Sequence, residues 1–260
     1  MQTQTRTITA APLNFVPSVR AASAPGVVAG QCSTCAMRTL CLPAGYSESE
    51  LKSMDALMFA RRKVQAGDVL YREGESFQFV YAVRSGTFKS AAATHDGREQ
   101  VTGFHLAGDV LGLDGLADNR HVTEAIALED SEICAIPYQQ LATLSALNPN
   151  MLRAMTQLLS RQIVGEQRTM MLLASMNAEE RVASFLLNIS SRLEARGYSP
   201  REFHLRMSRA EIGSYLGLKL ETVSRAFSAL QAQRVLQVEK KHIRILDLDA
   251  LSHAVEREIH

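Results

Sequence analysis

From Asn148-Pro149 to about Met176 the sequence reads as one long helix, with proline at a position that suits a first helical turn. Along it Leu152, Thr156, Leu159, Ile163, Glu166, Met170 and Leu173 follow one another in alternating steps of four and three. That is the repeat of a coiled-coil seam about three heptads long, and a seam is satisfied by a second helix. The chain is therefore expected to pair with a copy of itself. The seam holds a single carboxylate, Glu166, which a twofold axis would bring near its own mate. This helix divides the 260 residues into parts of different texture, with boundaries expected at 1–30, 31–147, 148–176 and 177–260.

Residues 1–30 are rich in Ala, Thr, Ser, Pro and Val, nearly uncharged and without period, the composition of a flexible tail. Ser47 and Glu50 form a capping-box pattern ahead of Leu51, Met54, Leu57 and Met58, so a short helix is predicted there. Between Arg61 and Pro137, runs of Val, Phe, Tyr and Ile are punctuated by turn signals such as Ala66-Gly67-Asp68, Ser85-Gly86, Asp96-Gly97 and Ala107-Gly108-Asp109. Such spacing predicts a small antiparallel barrel or roll. Asn177-Ala-Glu-Glu180 opens another helix, with Val182, Phe185, Leu186 and Ile189 on one side.

The segment Met207–Leu236 has the grammar of a helix-turn-helix. Ser208 caps a short helix with Ile212 and Leu216 inward, Gly217 breaks it, and a second helix carries Val223, Phe227 and Leu230. Glu221, Thr222, Ser224 and Arg225 are left off the apolar face near the start of the second helix, where recognition helices meet the major groove. Arg225 suits the two acceptors of guanine, and Glu221 the amino group of cytosine. The whole chain is balanced, Lys+Arg 28 against Asp+Glu 27, yet Arg196–Arg244 carries ten basic residues against four acidic ones. The basic face is local. Val235–Val238 and His242–Leu246 read as two strands of a wing, which adds phosphate contacts.

Cys32, Cys35 and Cys41 lie within QCSTCAMRTLCLP, and Cys134 falls on a predicted strand, SEICAIP. Four cysteines are too few for a disulfide scaffold in a chain of this length. No apolar stretch approaches the ~20 residues of a membrane span and the N-terminus lacks a signal-peptide core, so a cytoplasmic protein is expected. Four thiolates would fit a cubane iron-sulfur cluster or a structural zinc. Cys32 and Cys35 also have the spacing of a thiol-disulfide pair, although the βαβ setting of such enzymes is missing, and a lone Cys134 on an apolar strand is an ordinary core residue.

The cysteine loop, then FHLAGDVLGLDGL, ICAIP, NAEERVASFL and RGYSPREFHLRMSRAEIGSYLGLKLETVSR, in that order, resemble the FNR branch of the CRP/FNR bacterial transcription regulators over about Gln31 to Leu248. The resemblance implies an α+β fold: an N-terminal cysteine loop, a β-roll sensor domain like a cyclic-nucleotide-binding domain, a long coiled-coil dimerisation helix and a C-terminal winged helix-turn-helix. It implies a regulator and not an enzyme. Cys32, Cys35, Cys41 and Cys134 would hold an oxygen-labile [4Fe-4S] cluster that favours the homodimer. The dimer would read double-stranded DNA at a TTGAT-type inverted repeat through Glu221, Ser224 and Arg225, and surface loops such as Thr94–Arg98 would touch RNA polymerase. The resemblance has departures. Ala36 stands where that branch often has a small polar residue. The glutamate and arginine with which cyclic-nucleotide members hold ribose and phosphate are replaced by Leu113 and His121-Val122, with Arg120 one place off. His105 and His121, in no ligand pattern, are expected at the surface or in turns. Glu166 is expected to oppose association of the clusterless chain, unless it turns outward onto Arg161 or Arg168.

Overall fold

The structure, a computed structural model, describes residues 28–29, 31–35, 38–41, 47–55, 60–94 and 97–256. Leu57 and Met58 of the predicted stripe, Ala36, Asp96 and nearly all of the expected tail lie outside the described residues.

In chain order, β1 (Val28–Ala29), α1 (Arg38–Cys41) and α2 (Glu48–Asp55) lead into β2 (Ala60–Val64), β3 (Val69–Tyr71), β4 (Phe79–Ser85), β5 (Thr87–Ala93), β6 (Glu99–Leu106) and β7 (Val110–Leu111). A 3-10 turn at Leu113–Leu116 precedes β8 (Glu124–Ala127) and β9 (Ser131–Pro137). Helices α3 (Tyr138–Leu147), α4 (Pro149–Ser175) and α5 (Ala178–Glu194) follow. The C-terminal part is β10 (Glu202–His204), α6 (Arg209–Leu216), α7 (Leu220–Ala232), β11 (Leu236–Glu239), β12 (His242–Ile245) and α8 (Leu248–Glu256). The strands β1-β2-β9-β4-β7 and β3-β8-β5-β6 form the two antiparallel sheets of a roll.

Side-chain alternation on β9 decides what each face of the roll does. Ile133 and Ala135 are buried in the roll interior with Phe88, Val83 and Ala125. Cys134 and Ile136, one residue out of phase, point to the opposite face and pack in a second cluster with Met54 of α2, Leu141 of α3 and Met151 of α4. The cysteine strand is thus turned toward the N-terminal loop and the long helix.

The helix ends are set by the predicted caps. The Ser47 hydroxyl accepts from Glu50 N (3.3 Å) while the Glu50 carboxylate accepts from Ser47 N (2.7 Å), and Asn177 with Glu180 does the same for α5. The Asn148 side chain caps α4, with Pro149 in its first turn. Three elements carry too little periodicity to be anticipated: α3, α8 and β10, whose three residues pair with β12 to make the wing three-stranded.

The C-terminal domain has one continuous core, in which Val182, Leu186, Ile212, Leu216, Val223, Leu230, Ile243 and Leu251 are fully buried. This core extends into the roll through Val101, Phe104 and Leu106 of β6. Polar contacts tighten the junction. Arg192 and Arg196 of α5 both grip Asp109, the latter at 2.8 Å, and Lys89 bridges Glu99 (2.5 Å) and Glu211 of α6 (3.2 Å).

Of the two histidines expected at the surface or in turns, His121 lies between a turn and β8 but is buried, and His105 stands on β6. His121 is 3% exposed and stacks on Tyr71 with ring centroids 3.9 Å apart. His105, half-buried on β6, shares a hydrogen bond with the Ser90 hydroxyl at 2.9 Å, and burial pushes its imidazole down to about 4. The burial of His121 was not foreseen because Tyr71, on which it stacks, comes from β3, distant in sequence.

Candidate cluster site and nucleic-acid interface

Cys32, Cys35, Cys41 and Cys134 line one cavity of about 110 Å³. The loop supplies three of them and β9 the fourth. On β9, Cys134 is paired with Arg61 of β2 on one side and Ala82 of β4 on the other. The remaining wall includes Met54, Ile136 and Leu141, and the start of α4 from Met151 to Leu159. Among the described residues no three His, Cys, Asp or Glu side chains close on a single point as ligands of one ion must. The thiols surround a space.

The loop is held in place by residues that its sequence does not advertise. Asp55, at the end of α2, accepts from Cys32 N at 2.6 Å and Ser33 N at 3.0 Å, and also from the Ser33 hydroxyl. Cys35 N donates to Cys32 O and Arg38 N to Cys35 O, both at 3.2 Å, and the Arg38 guanidinium returns to Ser33 O at 2.8 Å. These bonds close a compact turn between the first two cysteines. Burial pushes the Cys32 thiol up to about 12, helped by the neighbouring Cys134, Asp55, Cys35 and Cys41. Burial does the same to Cys41, again to about 12, with Cys134 and Cys35 adding to it, and it also raises Cys134. Cys32, Cys41 and Cys134, pushed up in this way, favour the thiol form when alone, and they become thiolates only for a cation that repays the desolvation.

Whether these residues fit a cluster can be tested on the cavity itself. Among the described residues, Arg61 Nε is a buried side-chain nitrogen without a hydrogen-bond partner, and Arg61 lines the cavity beside Cys134. Arg38 lines it too. An all-thiolate, net anionic group would meet a donor that lacks an acceptor and two guanidinium charges, in a surround that is otherwise apolar. The donor set fits.

On α4 the seam positions Leu152, Thr156, Leu159, Ile163, Glu166 and Met170 are exposed, and Leu173 is partly buried. Ile163 at 58% and Met170 at 69% form an apolar stripe with no cover in the single chain. The Glu166 carboxylate accepts from Gln162 Nε2 at 3.0 Å. Leu159 belongs both to the stripe and to the cysteine cavity.

In the helix-turn-helix, the Ser208–Glu211 capping box starts α6 and Gly217, with φ 64°, ends it. The turn is tight because a Cβ on Gly213 would lie 2.6 Å from Leu218 O. Val223, Phe227 and Leu230 are buried, which leaves Glu221 and Arg225 exposed and Ser224 at the edge. The Arg225 guanidinium is held by a hydrogen bond to the Thr222 hydroxyl at 3.3 Å, one turn back on the same face.

At the positions that correspond to the cyclic-nucleotide ligands, the side chains have partners within the chain or stand exposed. Arg120, one place off the arginine of cyclic-nucleotide members, is exposed and donates to Gly74 O at 2.8 Å. Leu113 lies at the start of the 3-10 turn and lines the cysteine cavity. His121 is engaged by Asp114 at 3.2 Å.

Residues 61–148 match the family model of the cyclic nucleotide-binding domain, and residues 180–254 that of the Crp-like helix-turn-helix domain. The chain is 43% identical over 227 residues to the fumarate and nitrate reduction regulatory proteins of Salmonella typhimurium and Escherichia coli, covering 87% of this chain and 91% of theirs. Among solved structures it is similar to FixK2 from Bradyrhizobium japonicum, with a TM-score of 0.71 and 32% identity over 76% of this chain and 98% of that one. Identity at this level, on a shared fold and over most of both chains, makes this protein a member of the CRP/FNR family of DNA-binding transcription regulators, in the branch of the fumarate and nitrate reduction regulators, and not an enzyme.

Proposed function

We propose that the chain is an oxygen-responsive regulator of genes for anaerobic metabolism. Cys32, Cys35, Cys41 and Cys134 would hold a [4Fe-4S] cluster. The observation that carries this reading is the shared cavity, in which four thiols from two distant segments face one apolar space. When bound, such a cluster supplies an oxygen-labile link between the loop and the roll. The chain's own residues do the rest. Asp55 and Arg38 keep the loop folded over β9, and Arg61 and Arg38 offset the charge of four thiolates. Met151, Met155, Leu158 and Leu159 make the first turns of α4 part of the cavity wall, so the packing of the wall sets the packing of the seam. Leu159 belongs to both.

A homodimer then forms along Leu152, Thr156, Leu159, Ile163, Glu166, Met170 and Leu173. Two Glu166 carboxylates oppose it in the clusterless chain. A bias of ~3 to 5 kcal/mol from the cavity side is enough to move the population from monomer to dimer. One recognition helix makes few contacts, whereas two reach half-sites about one helical turn apart on the same face of the duplex. Glu221, Ser224 and Arg225 would read a TTGAT-type inverted repeat, and the Thr94–Arg98 loop, of which residues 95–96 lie outside the described residues, would meet RNA polymerase.

The test is purification without oxygen, followed by visible absorbance, iron and acid-labile sulfide assays, and then air. A brown protein with about four irons and four sulfides per chain that bleaches in air is the expected result. A colourless protein after anaerobic reconstitution, or one holding zinc, would overturn the sensor reading and leave the DNA-binding domain standing.

A further inference from the structure

In the roll, four donors converge on one carboxylate. Asp114 Oδ2 accepts from Val122 N at 3.0 Å, from Thr123 N at 3.0 Å and from the Thr123 hydroxyl at 2.9 Å. Its Oδ1 lies 3.2 Å from His121 Nδ1. All four donors belong to the consecutive residues 121–123, and successive backbone N–H groups aimed at one point make an anion cradle. The cradle is rigid. The His121 ring is pinned between Tyr71, stacked at 3.9 Å, and the edge of Phe77 at 5.6 Å.

We infer that Asp114 is a ligand the chain supplies to itself: its carboxylate fills an anion-binding cradle of the β-roll, and the roll is held closed with no small molecule. The domain around it matches the cyclic nucleotide-binding model, whose ligand brings an anionic phosphate. Here the negative charge arrives attached, eight and nine residues before its backbone donors. A tethered group acts at an effective concentration of millimolar or more, which a free nucleotide at lower concentration does not displace. The same arrangement explains why Arg120 can point outward to Gly74 O: a guanidinium is not needed where the anion is already neutralised by fixed donors. The reading concerns the roll and stands apart from the cysteine cavity.

Anion rescue tests it. Thermal unfolding of the full chain would be followed for wild type, Asp114→Ala and Asp114→Asn in chloride, formate and phosphate at matched ionic strength. Wild type gives the general salt effect, since phosphate stabilises folded chains by exclusion, and each variant's loss is read against wild type in the same salt. Asp114→Ala should melt about 5 °C or more lower in chloride and regain at least half of the loss in formate or phosphate, because the vacated cradle accepts either anion. Asp114→Asn fills the space with an amide whose oxygen can still accept from Val122 N and Thr123 N but which carries no charge, so it should lose part of that stability without any anion response. Wild-type melting of Asp114→Asn overturns the inference whether or not Asp114→Ala folds. A loss in Asp114→Ala that is equal in all three salts overturns it as well, since it would make Asp114 a packing and hydrogen-bonding residue only.

Discussion

The C-terminal domain and the N-terminal half of this protein are finished to different degrees. Around α5, α6 and α7 a single chain completes its core: Val182, Leu186, Ile212, Leu216, Val223 and Leu230 are each 0% exposed, and α5 and α6 start with complete capping boxes. Around the cysteine cavity and α4 the same chain leaves work undone. Four cysteines stand around a space, among the described residues a buried arginine nitrogen lacks an acceptor, and Leu152, Ile163 and Met170 face solvent. A domain that recognises a fixed target can be complete in itself, whereas one that must change state is built so that something else completes it.

Stability measurements on two leucine-class positions break this comparison most directly. Leu186→Ala should cost ~2 to 5 kcal/mol of unfolding free energy, the usual loss for a fully buried leucine. Ile163→Ala should leave the monomer within ~0.5 kcal/mol of wild type and weaken only self-association. Equal losses from chemical denaturation would mean that α4 is already covered in the single chain. Next in size, Arg225→Ala should weaken binding to the inverted repeat by ~1 to 3 kcal/mol and relax selectivity at one base pair. A titration series over single-base variants checks it, and a uniform loss on every sequence would make Arg225 a phosphate contact.

His105 sharpens the comparison from the N-terminal side. Its imidazole is pushed by burial from the ordinary range down to about 4, so its neutral form is the folded one. Stability is intact above the unfolded value near ~6.5 and falls as the pH drops from there to about 4, because only the unfolded chain gains the proton. The loss should be on the order of 1 to 2 kcal/mol, allowing for solvent screening at a half-buried site. His105→Gln, which keeps a hydrogen bond available to Ser90, should flatten that pH dependence in denaturant titrations. The smallest effect is at Glu166. Removing one like-charged pair from the seam should strengthen clusterless dimerisation by ~1 kcal/mol, read by sedimentation equilibrium of Glu166→Ala. A variant as monomeric as wild type would leave the Gln162 hydrogen bond as the whole role of Glu166.

What could be read from the sequence follows the range of the interactions. The helix-turn-helix was legible because its determinants are local: Ser208 and Glu211, the Gly217 break and the spacing of Val223, Phe227 and Leu230 lie within a few residues of what they act on. The turn signals announced a roll, and the four cysteines announced a site. Asp55, Arg61 and Asp114 went unread. Asp55 meets the loop 22 and 23 residues away, Arg61 becomes a cavity residue only through the pairing of β2 with β9, and Asp114 is just another turn acid until residues 121–123 fold against it. The burial of His121 under Tyr71 was hidden for the same reason, and β10 is too short to announce itself before β12 pairs with it.

The grip of Arg192 and Arg196 on Asp109, with Lys89 reaching Glu211, fastens the reading head to its own roll. In a homodimer formed along α4, each protomer would then behave as one half of a pair of callipers, pivoting where the two α4 helices cross. In a dimer built on that crossing, the opening between the two jaws is set by seam packing, so an operator whose half-sites are moved apart by even one base pair asks the callipers to break a salt bridge or a heptad contact before they can measure it.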